Sequence, residues 1–252
     1  MRPSEIAFVV IPSLFLISML FFYFLQWRKD KIFDKEIWSR GSSVFLGQFL
    51  RQWWMWLTHP VEKAILGLKI TPNQVTGLSL IISFFSGLSY AIGHFPLGGW
   101  LLFLAGFFDL LDGRIARRKN MVTKDGAFFD SFSDRVAEGI VYMGIIYYFR
   151  NSKFWLMVAV LTMLSSQLIS YAKARAEALG VVCSVGWMQR PERIIYLGGV
   201  STLEPILYHI INKPLGLGNY FFFKIILLFL CLMAIITVYQ RATHSINFLK
   251  NK

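Results

Sequence analysis

From residue 220 to residue 239 the chain carries one charge, Lys224, among apolar and aromatic side chains. A run of that length crosses the roughly 30 Å hydrocarbon layer of a bilayer as a helix, because lipid offers the backbone no hydrogen-bond partner but itself. Comparable runs recur at 5–27, 75–92, 99–112, 126–149, 154–171 and 193–211. The composition, 56% hydrophobic and 17% aromatic, excludes an ordinary soluble domain. The expected fold is an all-α integral membrane protein. Its six-transmembrane-helix core at 71–252 follows an N-terminal transmembrane anchor with a basic linker at 1–40 and an interfacial amphipathic segment at 41–70.

The formal net charge of +12 does not point to nucleic acid, because Lys and Arg sit in short runs between the apolar segments. Arg28, Lys29, Lys31, Lys35 and Arg40 follow the first run. Arg114, Arg117, Arg118, Lys119 and Lys124 follow Asp112, and Lys173, Arg175 and Arg190 follow Tyr171. The alternate connections hold only Arg150, Lys153 and Lys213. By the positive-inside rule the basic linkers face the cytoplasm and the N-terminus faces outward. The first run has no basic leader beyond Arg2 and no small-residue cleavage site, so it reads as a retained anchor. From Ser43 to Leu68 the aromatic residues Phe45, Phe49, Trp53, Trp54 and Trp56 alternate with Arg51, Glu62 and Lys63. This predicts a helix in the headgroup layer, interrupted near Pro60, with its tryptophans as interface anchors. Thr71-Pro72-Asn73 reads as a helix start, with Thr71 or Asn73 as cap. Cys183 and Cys231 have neither metal-ligand nor disulfide spacing.

Against this background four carboxylates stand out. Asp109 and Asp112 are three residues apart, and Asp130 and Asp134 four apart, so each pair shares one helix face. Across a helical hairpin the four can meet. An Asp at the centre of a membrane helix costs roughly 2.5 to 3.5 kcal/mol, and like charges held together add repulsion. A hard divalent cation offsets both, and two such ions can share four carboxylates.

The spacing D-x2-D-G-x2-A-R-x8-G-x3-D-x3-D, filled by Asp109, Asp112, Gly113, Ala116, Arg117, Gly126, Asp130 and Asp134, resembles the signature of the CDP-alcohol phosphotransferase family. The resemblance runs from about Thr71 to Arg241 and includes the entry Thr71-Pro72-Asn73-x2-Thr76. It implies that Asp109, Asp112, Asp130 and Asp134 hold Mg2+ or Mn2+, two ions in all, with Asp134 also the general base. It also implies that Asn73, Thr76, Asp112, Gly113, Ala116, Arg117 and Gly126 bind a CDP-linked lipid, CDP-diacylglycerol. Glycine permits close backbone approach, and arginine offers a planar fork for the diphosphate. The implied reaction transfers a phosphatidyl group to an acceptor hydroxyl and releases CMP. A homodimer in a bacterial cell membrane, with its active site on the cytoplasmic side, is implied as well.

The acceptor is read from Lys173, Arg175, Arg190, Arg193 and Arg241, which gather positive charge near the carboxylates and suit a phosphate dianion. Tyr-x-Lys-Ala-Arg-Ala-Glu and Arg-Pro-Glu-Arg are similar to the phosphatidylinositol phosphate synthase subgroup, although Gln189 stands where an acidic residue is expected. That similarity implies inositol 1-phosphate as acceptor, held by the positions matching Lys173, Arg193 and Arg241. Glycerol 3-phosphate and free inositol are alternative acceptors. A cation transporter is the non-enzymatic alternative, although transport favours acids spread over several spans.

Overall fold

The computed structural model describes residues 3–29, 33–34, 38 and 47–251, with side chains described from residue 13 onward except at 212. Asp30, Lys31, Lys35, Arg40, Ser43 and Phe45 lie outside the described residues. The helices are α1 (Pro3–Leu25), α2 (Gln48–Leu66), α3 (Pro72–Ala91), α4 (Phe95–Arg118), α5 (Lys124–Tyr148), α6 (Lys153–Ala178), α7 (Arg190–Leu207) and α8 (Phe221–Lys250). No strand occurs among the described residues. The all-α membrane architecture expected from the sequence is therefore the one observed.

Among the described residues, five helices are long and apolar enough to cross a membrane: α3, α4, α6, α7 with the turn that extends it to Ile211, and α8; α1, whose side chains are described only from residue 13, is not one of the five. The stretch expected to cross as α5 is not among them. Its first fifteen residues carry Lys124, Asp125, Asp130, Asp134, Arg135 and Glu138, which dilute the apolar residues that follow. Most core helices also run past the expected spans. α4 continues through the basic residues to Arg118, and α6 continues through Lys173 and Arg175 to Ala178.

Thr71 caps α3: its hydroxyl accepts from the Gln74 amide while the Gln74 side chain accepts from the Thr71 amide, and Pro72 stands in the first turn. α3 is the central post of the bundle. It lies against α4 on one side and α5 on the other, whereas α4 and α5 scarcely touch each other. α7 covers α4, and α8 packs on α6 and α7. Small residues set the closest crossings. A Cβ on Gly144 of α5 would overlap the carbonyl of Gly87 in α3, and one on Gly99 of α4 would lie 2.7 Å from the Gly198 oxygen in α7. Helices in lipid gain no hydrophobic drive from each other, so such backbone approach is a main source of adhesion. Aromatic packing closes the end remote from the carboxylates, where Phe95 stacks on Tyr220 at 4.1 Å and meets Tyr148 and Phe223 edge-on.

α2 differs from its sequence reading at one point. The helix runs unbroken through Pro60, because contacts on both sides of the proline hold it in place: Gln52 and Trp53 before it, Glu62 after it. Its tryptophans also make contacts within the protein, Trp53 buried and Trp54 and Trp56 half-buried. Trp53 donates to Ser18 Oγ at 3.2 Å and packs on Phe15 of α1, Trp56 packs on Phe21 and Phe22, and Trp54 meets Phe107 of α4 edge-on.

Candidate active site

Each motif helix carries its acids on one face, and α3 holds the two helices apart. The carboxylates therefore meet across a cleft and not inside a close-packed hairpin. Asp109 of α4 and Asp130 and Asp134 of α5 bring one oxygen each within 4.8 Å of one another. Asp112, one turn further along α4, is buried and accepts a 2.6 Å hydrogen bond from Thr76 Oγ1 of α3. It is not one of the three that converge. Next to the carboxylates a small cavity of about 30 Å³ lies between α3, α4, α5 and α7, bordered by Ser79, Ala105, Glu138, Arg190 and Arg193 among others.

A cation already stands among the acids. Arg190, at the start of α7, donates from Nη1 to Asp109 Oδ2 at 2.6 Å, and the same nitrogen lies 2.6 Å from Asp134 Oδ1. The second contact is an ion pair without hydrogen-bond alignment. Arg135, next to Asp134, places its Nη1 3.8 Å from Asp134 Oδ2. The oxygens of Asp109, Asp130 and Asp134 are hard donors and closely spaced. That donor set fits Mg2+ or Mn2+.

The residues expected to meet nucleotide border the same end of the bundle. Gly113 follows Asp112, and a Cβ there would lie 3.3 Å from Arg117 Nη1, so the glycine leaves the guanidinium room against the backbone. Ala116 is half-buried and Arg117 exposed. Gly126, whose amide donates to the capping hydroxyl of Thr123, stands beside Asn73: a Cβ on it would lie 3.5 Å from Asn73 Oδ1. The structure thus joins the start of α3 to the start of α5 next to the carboxylates.

The basic residues divide into two groups. Arg193 is buried and forms a forked pair with Glu138, Nε to Oε1 at 2.7 Å and Nη2 to Oε2 at 3.1 Å, and its Nη1 donates to the Met188 carbonyl. Arg241 of α8 donates to the carbonyls of Val185 and Ile169, tying the α6–α7 connection to α8. It lies within Coulombic reach of Arg193 and Arg135. Lys173 and Arg175 are exposed, and Lys173 stands 3.8 Å from Glu177 on its own helix.

Four residues of this neighbourhood escaped the sequence reading: Arg135, Glu138, Arg114 and Glu62. Glu138 follows Asp134 by four residues, the same helical spacing that drew attention to the aspartates. Arg135 is an arginine inside an apolar run, itself a signal. Arg114 occupies an unspecified motif position and reads from sequence as one more linker charge. Its partner Glu62 lies 52 residues away, and no local pattern joins them.

The family model for CDP-alcohol phosphatidyltransferases matches residues 69–246. The chain belongs to that family and is an enzyme of its type. A phosphatidylinositol phosphate synthase of Mycobacteroides abscessus is 39% identical over 153 residues, covering 59% of this chain and 70% of that protein. An archaetidylinositol phosphate synthase of Methanothermobacter thermautotrophicus is 35% identical over 130 residues, covering 52% of this chain and 65% of that protein. Among solved structures, the Mycobacterium tuberculosis phosphatidylinositol phosphate synthase with CDP-DAG bound aligns with a TM-score of 0.64 at 27% identity, over 75% of this chain and 92% of that one. The same enzyme in complex with manganese and citrate aligns with a TM-score of 0.64, over 75% of this chain and 88% of that one. Membership sets the cation-transporter alternative aside.

Proposed function

We propose that the protein transfers a phosphatidyl group from CDP-diacylglycerol to the hydroxyl of inositol 1-phosphate, releasing CMP, on the cytoplasmic face of a bacterial membrane. The observation that carries this reading is the convergence of Asp109, Asp130 and Asp134 beside the arginines of α7. Asn73, Thr76, Gly113, Ala116, Arg117 and Gly126 line the approach for the nucleotide and its diphosphate. Asp109, Asp112, Asp130 and Asp134 would hold two dications. Bound there, Mg2+ or Mn2+ supplies neutralisation of the phosphoryl oxygens and of the departing CMP.

Asp134 accepts the proton of the acceptor hydroxyl. The oxygen so freed attacks the lipid-bearing phosphorus in line, a new P–O bond forms, and the bond to CMP breaks with its electron pair leaving on CMP. Arg190 takes part at both ends of the exchange. Its guanidinium balances Asp109 and Asp134, and with Arg193, Arg241 and Lys173 it would supply the positive charge that holds the acceptor phosphate beside them. A second copy of the chain would seat on the outward stripe of α5, where Phe128, Phe132 and Met143 are exposed. Gly144, on the same helix, faces Gly87 of the same chain and would not take part.

The test is purified protein with CDP-diacylglycerol, Mn2+ and a panel of inositol 1-phosphate, glycerol 3-phosphate, inositol and serine. CMP release is expected with inositol 1-phosphate and is abolished by chelation. Equal or faster release with glycerol 3-phosphate would replace the acceptor and keep the chemistry. Replacing the donor by its ether-linked counterpart tests the tails, which the archaetidylinositol relative brings into question. Arg190→Gln adds an independent check. Removing one charge-assisted bond of about 1.5 kcal/mol is expected to tighten Mn2+ binding on the order of tenfold without substrate, by titration, while raising the acceptor KM.

A further inference from the structure

The face of α4 turned away from the cleft carries Phe107, Leu111, Arg114, Ile115 and Arg118, spaced three and four apart, and α2 reaches it through its longer side chains. The contact is both apolar and ionic. Trp54, Ile65 and Leu66 of α2 pack on the cluster of Phe107, Leu111 and Ile115. Arg114, 5% exposed, donates from Nε to Glu62 Oε1 at 2.9 Å and from Nη1 to Asp34 Oδ2 at 2.6 Å, and its Nη1 also reaches Met55 Sδ at 3.0 Å. Glu62, 2% exposed, takes a second cation from Arg118 Nε at 3.3 Å. Asp34 is itself clasped by Gln52, whose amide bonds the Asp34 N–H and carbonyl at 2.7 Å each. At its other end α2 places Arg51 3.8 Å from Glu192, which lies between Arg190 and Arg193 on α7.

We infer that α2, which precedes the family-matched residues 69–246, is a positioning element of the active site. Glu62 and Asp34 lock Arg114, and so fix the axial rotation and depth of the α4 turns that present Asp109 and Asp112. A surface role for α2 would require none of this, since an interfacial helix needs no buried charge. A buried carboxylate without its cations is strongly unfavourable, so the ionic contact has one register and α4 is held to it. Arg114 stands two residues beyond Asp112, about 200° round the helix, so the lock grips α4 from behind while the cleft face stays open. The inference rests on the transferase reading, and Glu62 acts through Arg114 without touching substrate.

The test compares wild type, Glu62→Gln and Glu62→Asp in detergent or nanodiscs by three measurements: Mn2+ affinity by titration without substrate, kcat and KM for CDP-diacylglycerol, and thermal unfolding. Glu62→Gln is expected to weaken Mn2+ binding about tenfold and to lower kcat about tenfold, with KM for the lipid within about twofold. Glu62→Asp, which keeps the charge, is expected to recover most of both. A lower unfolding temperature with wild-type Mn2+ affinity and kcat would make the network fold glue only and overturn the inference. Should Glu62→Gln not accumulate, Trp54→Ala loosens α2 through its apolar contact and is expected to show the same split; wild-type kcat in that variant overturns the inference equally. Wild-type protein that releases no CMP from CDP-diacylglycerol would instead refute the transferase reading, whatever the Mn2+ titrations show.

Discussion

Asp134→Asn abolishes phosphatidyl transfer, lowering kcat by about 10³-fold or more, while CDP-lipid binding remains measurable. The size follows from two losses at one atom group. A positioned general base contributes about 10² to 10⁴-fold, and an amide cannot take the acceptor proton. The same substitution removes one of the three charges that converge within 4.8 Å, which weakens the affinity of the cluster for a dication. Isotopically labelled CDP-diacylglycerol distinguishes the outcomes: retained lipid binding with lost CMP release is expected, and near-wild-type turnover removes Asp134 from the base role. Asp130→Asn is the useful companion. It removes a charge from the same cluster but no assigned proton acceptor, so a pH profile unchanged in shape is expected of it.

Arg193→Ala has its largest effect on folding. The guanidinium and its partner Glu138 are 2% and 9% exposed, and their forked contact lies between α5 and α7. Removing the cation strands a buried carboxylate, which costs about 3 to 5 kcal/mol in comparable cases. Thermal unfolding in detergent reads this directly, and a transition within a degree of wild type would contradict it. The double substitution Arg193→Met/Glu138→Leu removes both charges while keeping most of the volume and is expected to recover most of the stability. In that background the acceptor KM tests the phosphate role separately from the structural one: a large rise with unchanged KM for CDP-diacylglycerol supports it, and an unchanged acceptor KM dismisses it.

The limits of sequence reading fall along a physical line. Features fixed within one helix turn were legible: the Thr71 cap, the pairing of Asp109 with Asp112 and of Asp130 with Asp134, and the glycines beside them. The length and polarity of the apolar runs gave the all-helical membrane architecture, because lipid leaves the backbone few choices. What depends on partners far along the chain was not legible. Pro60 looked like a break because its lost hydrogen bond is local, whereas the contacts that override it come from Asp34, Ser18 and Arg114. That the fork of Arg193 grips Glu138 is a matter of how α5 and α7 meet, and no local pattern announces it. Arg190 carried the same signal as its neighbours, and only the bundle brings it within 2.6 Å of two motif acids.

The guanidinium lodged against Asp109 and Asp134 also ties three helices at one point. Arg190 opens α7, Asp109 lies in α4 and Asp134 in α5, so one side chain spans the gap between the motif helices that α3 holds apart. A change at Arg190 therefore acts on the shape of the cleft as well as on its charge, and Arg190→Lys, which keeps the charge and loses the planar fork, separates the two.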